Sequence, residues 1–306
     1  MQIVRGHQHA PAWPGTAVAI GNFDGVHAGH RALIERTREL AEAHDAKAIA
    51  LTFDPHPSAV LGTAPAMLGS LERRLELLEE AGLDAVVVEA FTRDLAARAP
   101  NAFIDDVVIR ALAARAIVVG YDFTYGHGRA GTTDALRSHG GRAGIEVDVV
   151  PPVEVAGEVA SSTRIRAYLR SGDLTGAARL LGRPWDVDGI VVHGAKRGRA
   201  IGVPTANVEP LSDLPIPSGI YAVTLATPGG TPMSAVASLG TNPTFVDEGR
   251  MVLEVHVLDF DGDLYDQRVR VRFASRLRDE VRFASVDALI AQIREDIEAA
   301  RRVLAG

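Results

Sequence analysis

The feature that most constrains the fold is a regular alternation in the first half of the chain. Short, nearly continuous apolar runs at Ala17–Ile20, Lys47–Phe53, Asp84–Glu89, Ala116–Gly120 and Ile145–Val150 take turns with helical patterns. Those patterns fall at His30–Ala43, Ser70–Ala81, Pro100–Ala114 and Thr132–His139. A strand that is apolar throughout, rather than at every second residue, is buried on both faces. Strands of that kind separated by helices predict an α/β domain with a parallel sheet covered on both sides. In such sheets ligands collect outside the carboxyl ends of the strands.

The pattern then changes. A short helical stretch, Asp173–Leu181, stops at Gly182-Arg183-Pro184, and β-rich runs follow at Val187–Val192, Gly219–Ala226, Ser234–Leu239, Met251–Leu258 and Arg268–Phe273. Turn residues separate them, including Pro228-Gly229-Gly230 and the hairpin signal Asp261-Gly262. No helical pattern returns until Ser285, after which Val286, Leu289, Ile290, Ile293 and Ile297 form one stripe. The expectation is α/β plus β: a parallel-sheet domain over 1–185, then an antiparallel β-barrel over 186–306 sealed by a terminal helix.

Composition narrows the function classes. Thirty-two Lys and Arg against 39 Asp and Glu leave a net charge of −7, which argues against a general nucleic-acid or membrane surface. The absence of cysteine removes disulfides, thiolate catalysis and thiolate metal sites. Met1–Gly15 has no apolar core of the signal-peptide kind, and no apolar run approaches membrane-spanning length, so a cytoplasmic protein is expected.

Candidate chemistry sits in the loops. Gly21-Asn22-Phe23-Asp24-Gly25-Val26-His27-Ala28-Gly29-His30 reads as a glycine-rich turn between a buried strand and a helix, with His27 and His30 at the helix start. Unpaired N–H groups and the positive dipole end favour phosphate there, and two imidazoles add donors. Thr52-Phe53-Asp54-Pro55-His56-Pro57 and Gly120–Gly131 leave other strand ends; Tyr121, Phe123 and Tyr125 suit a flat ring as ligand. Gly126–Gly131 matches GxGxxG, but Tyr121 to Tyr125 intervene after the strand, so it is not read as a dinucleotide fingerprint. In Ser161-Ser162-Thr163-Arg164-Ile165-Arg166 two arginines occupy a first helical turn, which an anion would favour.

In the second half, Gly194–Asn207 is a basic, glycine-rich loop without the Lys–Ser/Thr of a Walker motif. Thr205 and Asn207, two apart in extended chain, share one side and read equally as ordinary turn polarity or as oxygen ligands for Mg²⁺ held with phosphate. Glu254 and His256 face away from the stripe Leu253, Val255 and Val257. By that pattern alone Glu254 is a solvated carboxylate; a proton acceptor for a hydroxyl attacking phosphate is the second reading.

Together these motifs resemble the bacterial bifunctional riboflavin kinase/FMN adenylyltransferase family, also called prokaryotic FAD synthetases. The resemblance runs from about Ala17 to Ala300 and rests on Gly21–His30, Thr52–Pro57, Asp122–Gly131, Ser161–Arg166, Gly202-Val203-Pro204-Thr205-Ala206-Asn207, Glu254-Val255-His256 and Leu277-Arg278-Asp279-Glu280. It implies a Rossmann-like nucleotidyltransferase domain followed by a riboflavin-kinase-like barrel. It also implies two ATP-dependent steps: riboflavin to FMN with ADP released, then FMN to FAD with pyrophosphate released. Carried over by position, Gly21, Asn22, Phe23, Asp24, His27 and His30 would bind ATP, with the two histidines stabilising charge at the α-phosphate. Ser162, Thr163 and Arg166 would hold the outgoing pyrophosphate. His56, Pro57, Asp122, Phe123 and Arg129 would belong to the FMN side. In the kinase, Gly194, Gly198, Gly202 and Pro204 would line ATP, Thr205 and Asn207 would carry Mg²⁺, Glu254 would be the base, and Arg278 would order the flavin loop. The implied partners are these small molecules, with no nucleic acid or membrane and with homo-oligomerisation left open. Two places depart from the family pattern: Asp266 follows Leu264-Tyr265 where glycine is usual, and Ser238–Thr244 is a variant segment.

Overall fold

The computed structural model describes residues 1–194, 202–241 and 251–305. Gly198 and the Asn242-Pro243-Thr244 part of the variant segment lie outside them. The chain forms two compact units, Met1–Pro65 with Leu71–Ser161 and Ala66–Ser70 with Ser162–Gly306.

In the first unit six strands, β1 (Gln2–Arg5), β2 (Thr16–Ile20), β3 (Lys47–Asp54), β4 (Ala85–Ala90), β5 (Ala114–Gly120) and β6 (Glu146–Val150), form a parallel sheet in the order β1-β4-β3-β2-β5-β6. β2 lies inside the sheet and is buried at every position, because both its faces meet apolar layers. Val18 and Ile20 pack on one side with Ile49, Phe103 and Ile117. Ala17 and Ala19 pack on the other with Phe23, Ile34 and Leu78. Each large aliphatic side chain so enclosed contributes about 1.5–3 kcal/mol. The edge strand β1 falls outside the sequence expectation because it is four residues long and buries only Val4, too little to show a period. The helices are α1 (Ala28–Ala43), α2 (Pro57–Leu61), α3 (Leu71–Glu80), α4 (Arg93–Ala96), α5 (Pro100–Phe103, continuing as a π-helical stretch over Ile104–Ala111) and α6 (Thr133–Arg142). A small hairpin, β7 (Glu154–Val155) with β8 (Glu158–Val159), follows.

The second unit begins with α7 (Ser162–Ser171) and α8 (Leu174–Leu181). Asp173 caps α8 by accepting the Gly176 N–H at 2.7 Å, and Gly182 ends it in the left-handed region at φ 68°. The Trp185 indole donates to the Leu68 carbonyl at 2.8 Å and Arg166 Nε to Ala66 O at 2.7 Å, which ties the 66–70 segment to this unit. Six antiparallel strands, β9 (Asp186–Val192), β10 (Ala206–Pro210), β11 (Gly219–Ala226), β12 (Met233–Thr241), β13 (Met251–Val257) and β14 (Arg268–Arg278), close a barrel in the order β10-β13-β12-β11-β14-β9. Val187, Tyr221, Leu253, Val255, Val271 and Phe273 are among its buried side chains.

Two expectations are corrected. Asp261-Gly262 does not turn a hairpin, since β13 pairs with β10 and β12 while β14 pairs with β11 and β9. Barrel closure seats β14 beside the first strand of the barrel, so the chain between β13 and β14 must run as a longer connection. The terminal helix α9 (Val286–Leu304) does pack on β11, β12 and β14, but Val286 is 58 % exposed. Asp296 and Ala300, further along, are its buried positions. Among the described residues no helix is long and apolar enough to cross a membrane.

Candidate active sites

β2 delivers Gly21–His30 to the carboxyl edge of the sheet. The turn is tight: Phe23, Gly25 and Val26 all have positive φ, at 50°, 82° and 41°. A phenylalanine and a β-branched valine in that region are strained, a cost that the burial of both side chains offsets. His27 caps α1, its Nδ1 accepting the His30 N–H at 3.4 Å, and the two imidazoles stack with centroids 3.7 Å apart. That cap uses the Nδ1 lone pair, so a neutral His27 carries its proton on Nε2. Burial, followed by the neighbouring His27 and Arg74, holds His30 well below its ordinary value, leaving it neutral at physiological pH. His30 Nδ1 is buried and without a hydrogen-bond partner in the described structure, an orphaned polar atom at a helix N-terminus. Asp24 is buried within the same turn.

Behind the turn lies Arg74 on α3, which the sequence reading passes over. It is buried, and its Nη1 donates to Asn22 O at 3.0 Å, Phe53 O at 3.0 Å and Thr52 Oγ1 at 3.3 Å. Burial lowers its pKa while Asp24, Asp54 and Glu72 act in the opposite direction. One guanidinium thus joins the carboxyl ends of β2 and β3.

The strand on either side of β2 contributes a further loop. His56 caps α2 with Pro57 at its first position; its Nδ1 accepts the Ser58 N–H at 3.2 Å, and its Nε2 lies 3.1 Å from the Asn22 amide. From β5, Phe123 stacks on Tyr125 at 5.4 Å, and Arg129 Nε donates to Thr124 Oγ1 at 2.8 Å. Of the three aromatics expected here, Tyr121 is exposed, Phe123 half-buried and Tyr125 part of the core. Tyr125 pairs with Gly131 as an isolated bridge, and a Cβ on Gly131 would come within 2.7 Å of the tyrosine ring. The glycine here makes room for an aromatic ring, consistent with setting the GxGxxG reading aside. Ser162, Thr163 and Arg166 stand in the first turns of α7, in the second unit, with Arg166 buried.

On the barrel, strand register assembles a second group. Asn207 is opposite Glu254, and Glu254 is opposite Ser238. Directly opposed residues of antiparallel strands share a face, so these three polar side chains form a row. The Gly194 backbone lies over Asn207, where a Cβ would come within 2.1 Å of the amide nitrogen. His256, one pleat along the same face, bonds Pro204 O through Nδ1 at 2.7 Å. A carbonyl can only accept, so that nitrogen carries the proton, and His256 clips the turn holding Thr205 to β13. A cavity of about 630 Å³ is lined by Val191, Ala206, Val255 and Val257, which alternate to the other face of their strands from that row, together with Pro204, Thr205, Phe260, Leu264 and Tyr265. Its wall is the 258–267 connection, and Tyr265 packs against His193 at 4.0 Å. Asp266 takes φ 60° and donates its N–H to Val191 O at 2.9 Å. The position where glycine is usual in the resembled family is therefore left-handed in this chain. Arg278 is held bidentately by buried Asp296 of α9 at 2.9 and 2.7 Å, with its guanidinium 5.8 Å from the Phe283 ring.

Comparison with known proteins decides the relationship. The FAD synthetase family model matches residues 9–164 and the riboflavin kinase family model residues 181–304. A bifunctional riboflavin kinase/FMN adenylyltransferase from Pseudomonas fluorescens is 40% identical over 100% of this chain and 98% of its own length. The chain belongs to the bifunctional riboflavin kinase/FMN adenylyltransferase family. A member from Escherichia coli strain K12 is 38% identical, with 98% of this chain and 97% of its own covered. A solved structure named as a macrolide-efflux protein from Streptococcus pneumoniae shares the fold at a TM-score of 0.87 and 32% identity, covering 98% of this chain and 99% of that one.

For a member of this family, the residues that sequence reading missed are informative. Arg74 carries no local signal because it lies in an ordinary amphipathic helix, and its contacts are made 21, 22 and 52 residues away. Ser238 comes beside Glu254 only through barrel register, and Phe260–Tyr265 line the cavity only through the fold of the β13–β14 connection.

Proposed function

We propose that the two activities of this family, riboflavin kinase and FMN adenylyltransferase, are carried out in this chain at two separate centres by the residues described above. The chain phosphorylates riboflavin to FMN and joins AMP from ATP to FMN, giving FAD and pyrophosphate. The division we adopt places the adenylyltransferase in 1–185 and the kinase in 186–306.

For adenylyl transfer, ATP phosphates approach the N-terminus of α1. His27 Nε2–H and the neutral His30 ring meet them as hydrogen-bond donors, and a polyanion placed there acts against the burial that depresses His30. An oxygen of the FMN phosphate attacks the α-phosphorus in line; the new P–O bond forms as the bond to the β-phosphate breaks. Ser162, Thr163 and Arg166 hold the departing pyrophosphate, and His56, Pro57, Asp122, Phe123 and Arg129 hold FMN. No protein nucleophile takes part, so positioning and electrostatics supply the rate.

For the kinase, the register that sets Asn207 beside Glu254 carries the reading. Glu254 takes the proton of the riboflavin 5′-hydroxyl as its oxygen attacks the γ-phosphorus and ADP leaves. Thr205 and Asn207 suit Mg²⁺, being neutral oxygen donors, and the Gly194 backbone packs on the Asn207 amide where any side chain would collide. Mg²⁺, when bound, neutralises charge on the transferred phosphoryl group. The aromatic wall of Phe260 and Tyr265 fits a nucleotide base, with Gly194, Gly198, Gly202 and Pro204 toward the phosphates. Dependence on ATP is the reason we place the enzyme in the cytoplasm.

Incubation with riboflavin, ATP and Mg²⁺ followed by chromatography should give FMN and then FAD. Glu254→Gln should stop FMN formation while FMN is still converted to FAD; His30→Ala should do the reverse. Loss of both conversions in a folded variant would overturn the separation of the sites.

A further inference from the structure

Asn22 and His56 occupy different loops, one after β2 and one after β3, yet their side chains meet at 3.1 Å. Donor bookkeeping fixes the direction of that contact. His56 Nδ1 accepts the Ser58 N–H, so the neutral ring carries its proton on Nε2 and must donate there. The amide nitrogen Nδ2 is the atom placed at 3.1 Å, so an Nε2–H donor requires the flipped amide, which presents Oδ1 to the ring; side-chain amide orientation is assigned from such bookkeeping. The Asn22 backbone is itself pinned, its carbonyl accepting from Arg74 Nη1 at 3.0 Å and from Thr52 Oγ1 at 3.2 Å. The chain of contacts runs from the α2 cap through His56 and Asn22 to Arg74 and the ends of both strands.

We infer that Asn22 is a positioning residue that couples the nucleotide loop to the flavin loop, so that each substrate pre-orders the site of the other. This rests on the adenylyltransferase reading above. Asn22 leads into the strained Phe23–Val26 turn, with positive φ at three of its four residues, at the α1 N-terminus that a triphosphate would meet. Fixing the turn fixes the Asn22 amide, and through it the orientation of His56 at the start of α2. A second ligand then meets a loop whose conformational freedom has already been reduced, which is positive cooperativity without a large rearrangement. Arg74 is the rigid post of the device, since three of its contacts are to β2 and β3 ends rather than to either ligand.

The test is a matrix of initial rates of FAD formation, with FMN and MgATP both varied, on the full chain. In the wild type the KM for FMN should fall about five-fold from low to saturating ATP, roughly the worth of one neutral hydrogen bond. Asn22→Leu, which fills the space without an acceptor, should bring that ratio to near one, whatever it does to kcat or to the KM for ATP itself. Asn22→Asp restores an acceptor for His56 Nε2–H and should restore the ratio, whatever its added charge does to the KM for ATP itself. A merely structural role would change stability or kcat and leave the ratio alone. If Asn22→Leu does not fold, Asn22→Ser, too short to reach the ring, gives the same readout. A wild-type ratio of one, or a ratio unchanged in the non-bonding variant, overturns the coupling. Failure of the wild type to make any FAD would instead overturn the adenylyltransferase reading on which it rests.

Discussion

Asp188→Asn probes the seam that closes the kinase barrel. Asp188 is 1% exposed on β9, opposite Arg270 of β14, and accepts from Arg268 Nη2 at 2.5 Å and from Arg270 Nε and Nη2 at 2.7 and 3.2 Å. Burial alone would raise its pKa; hydrogen bonds and charge from Arg270 and Arg268 outweigh burial and hold the carboxyl below its ordinary value. Each charge-assisted bond to a buried carboxylate is worth about 1.5–3 kcal/mol. The guanidiniums are 30% and 25% exposed and regain water when the carboxylate is neutral, so the net loss is set at about 2–3 kcal/mol. In a unit of this size that corresponds to a Tm lower by about 5–10 °C. Scanning calorimetry of the full chain measures it, and pH supplies the control. Because the folded pKa is depressed, the stabilisation is complete above the unfolded value of about 3.9 and is lost as pH falls through the folded value. The wild type and Asp188→Asn should differ fully at pH 7 and converge in acid below about pH 4. Equal melting at neutral pH, or a gap that persists unchanged in strong acid, would refute the reasoning.

Three further outcomes are expected in the kinase. His256→Asn keeps a donor at the Nδ1 position for Pro204 O and should retain activity, whereas His256→Leu should raise the KM for ATP by about five-fold, one hydrogen bond's worth; equal values in the two variants would dismiss the clip. Asp266→Gly should be tolerated, while Asp266→Val places a β-branched residue at φ 60° and should cost about 1–2 kcal/mol and weaken ATP binding beside Tyr265, as thermal melts and kinase assays would detect. Asp296→Ala strips half-buried Arg278 of its buried bidentate partner; we expect a loss of roughly 2–4 kcal/mol and impaired FMN formation, with FMN-to-FAD conversion intact. Wild-type stability in that variant would remove Arg278–Asp296 as the anchor of α9.

Much of this architecture is local and was legible in the chain itself. Ala17–Ile20 and Asp84–Glu89 read as doubly covered strands because burial on both faces leaves no alternation, and the sheet observed is parallel. His27 and His30 were legible because a glycine-rich turn between strand and helix makes a helix N-terminus, a consequence of short-range geometry. Glu254 was not: period-two patterning alone makes it a solvated carboxylate, and only the family resemblance singled it out before barrel register set Asn207 and Ser238 beside it. The expected Asp261-Gly262 hairpin failed for the same reason, since closing a barrel decides which strands become neighbours, and no local signal carries that information.

The sequence by itself determined the two fold classes, the order of the elements and the phosphate-friendly helix start, because periodicity, turn chemistry and capping act within a few residues. Tertiary structure alone decided that desolvation keeps the half-buried His30 ring neutral, with its buried Nδ1 unpaired. It likewise decided that Arg74 ties Asn22 to Thr52 and that Asn22 meets His56. Desolvation and hydrogen bonding between distant segments depend on what the folded chain brings together, and these are the quantities on which the chemistry rests.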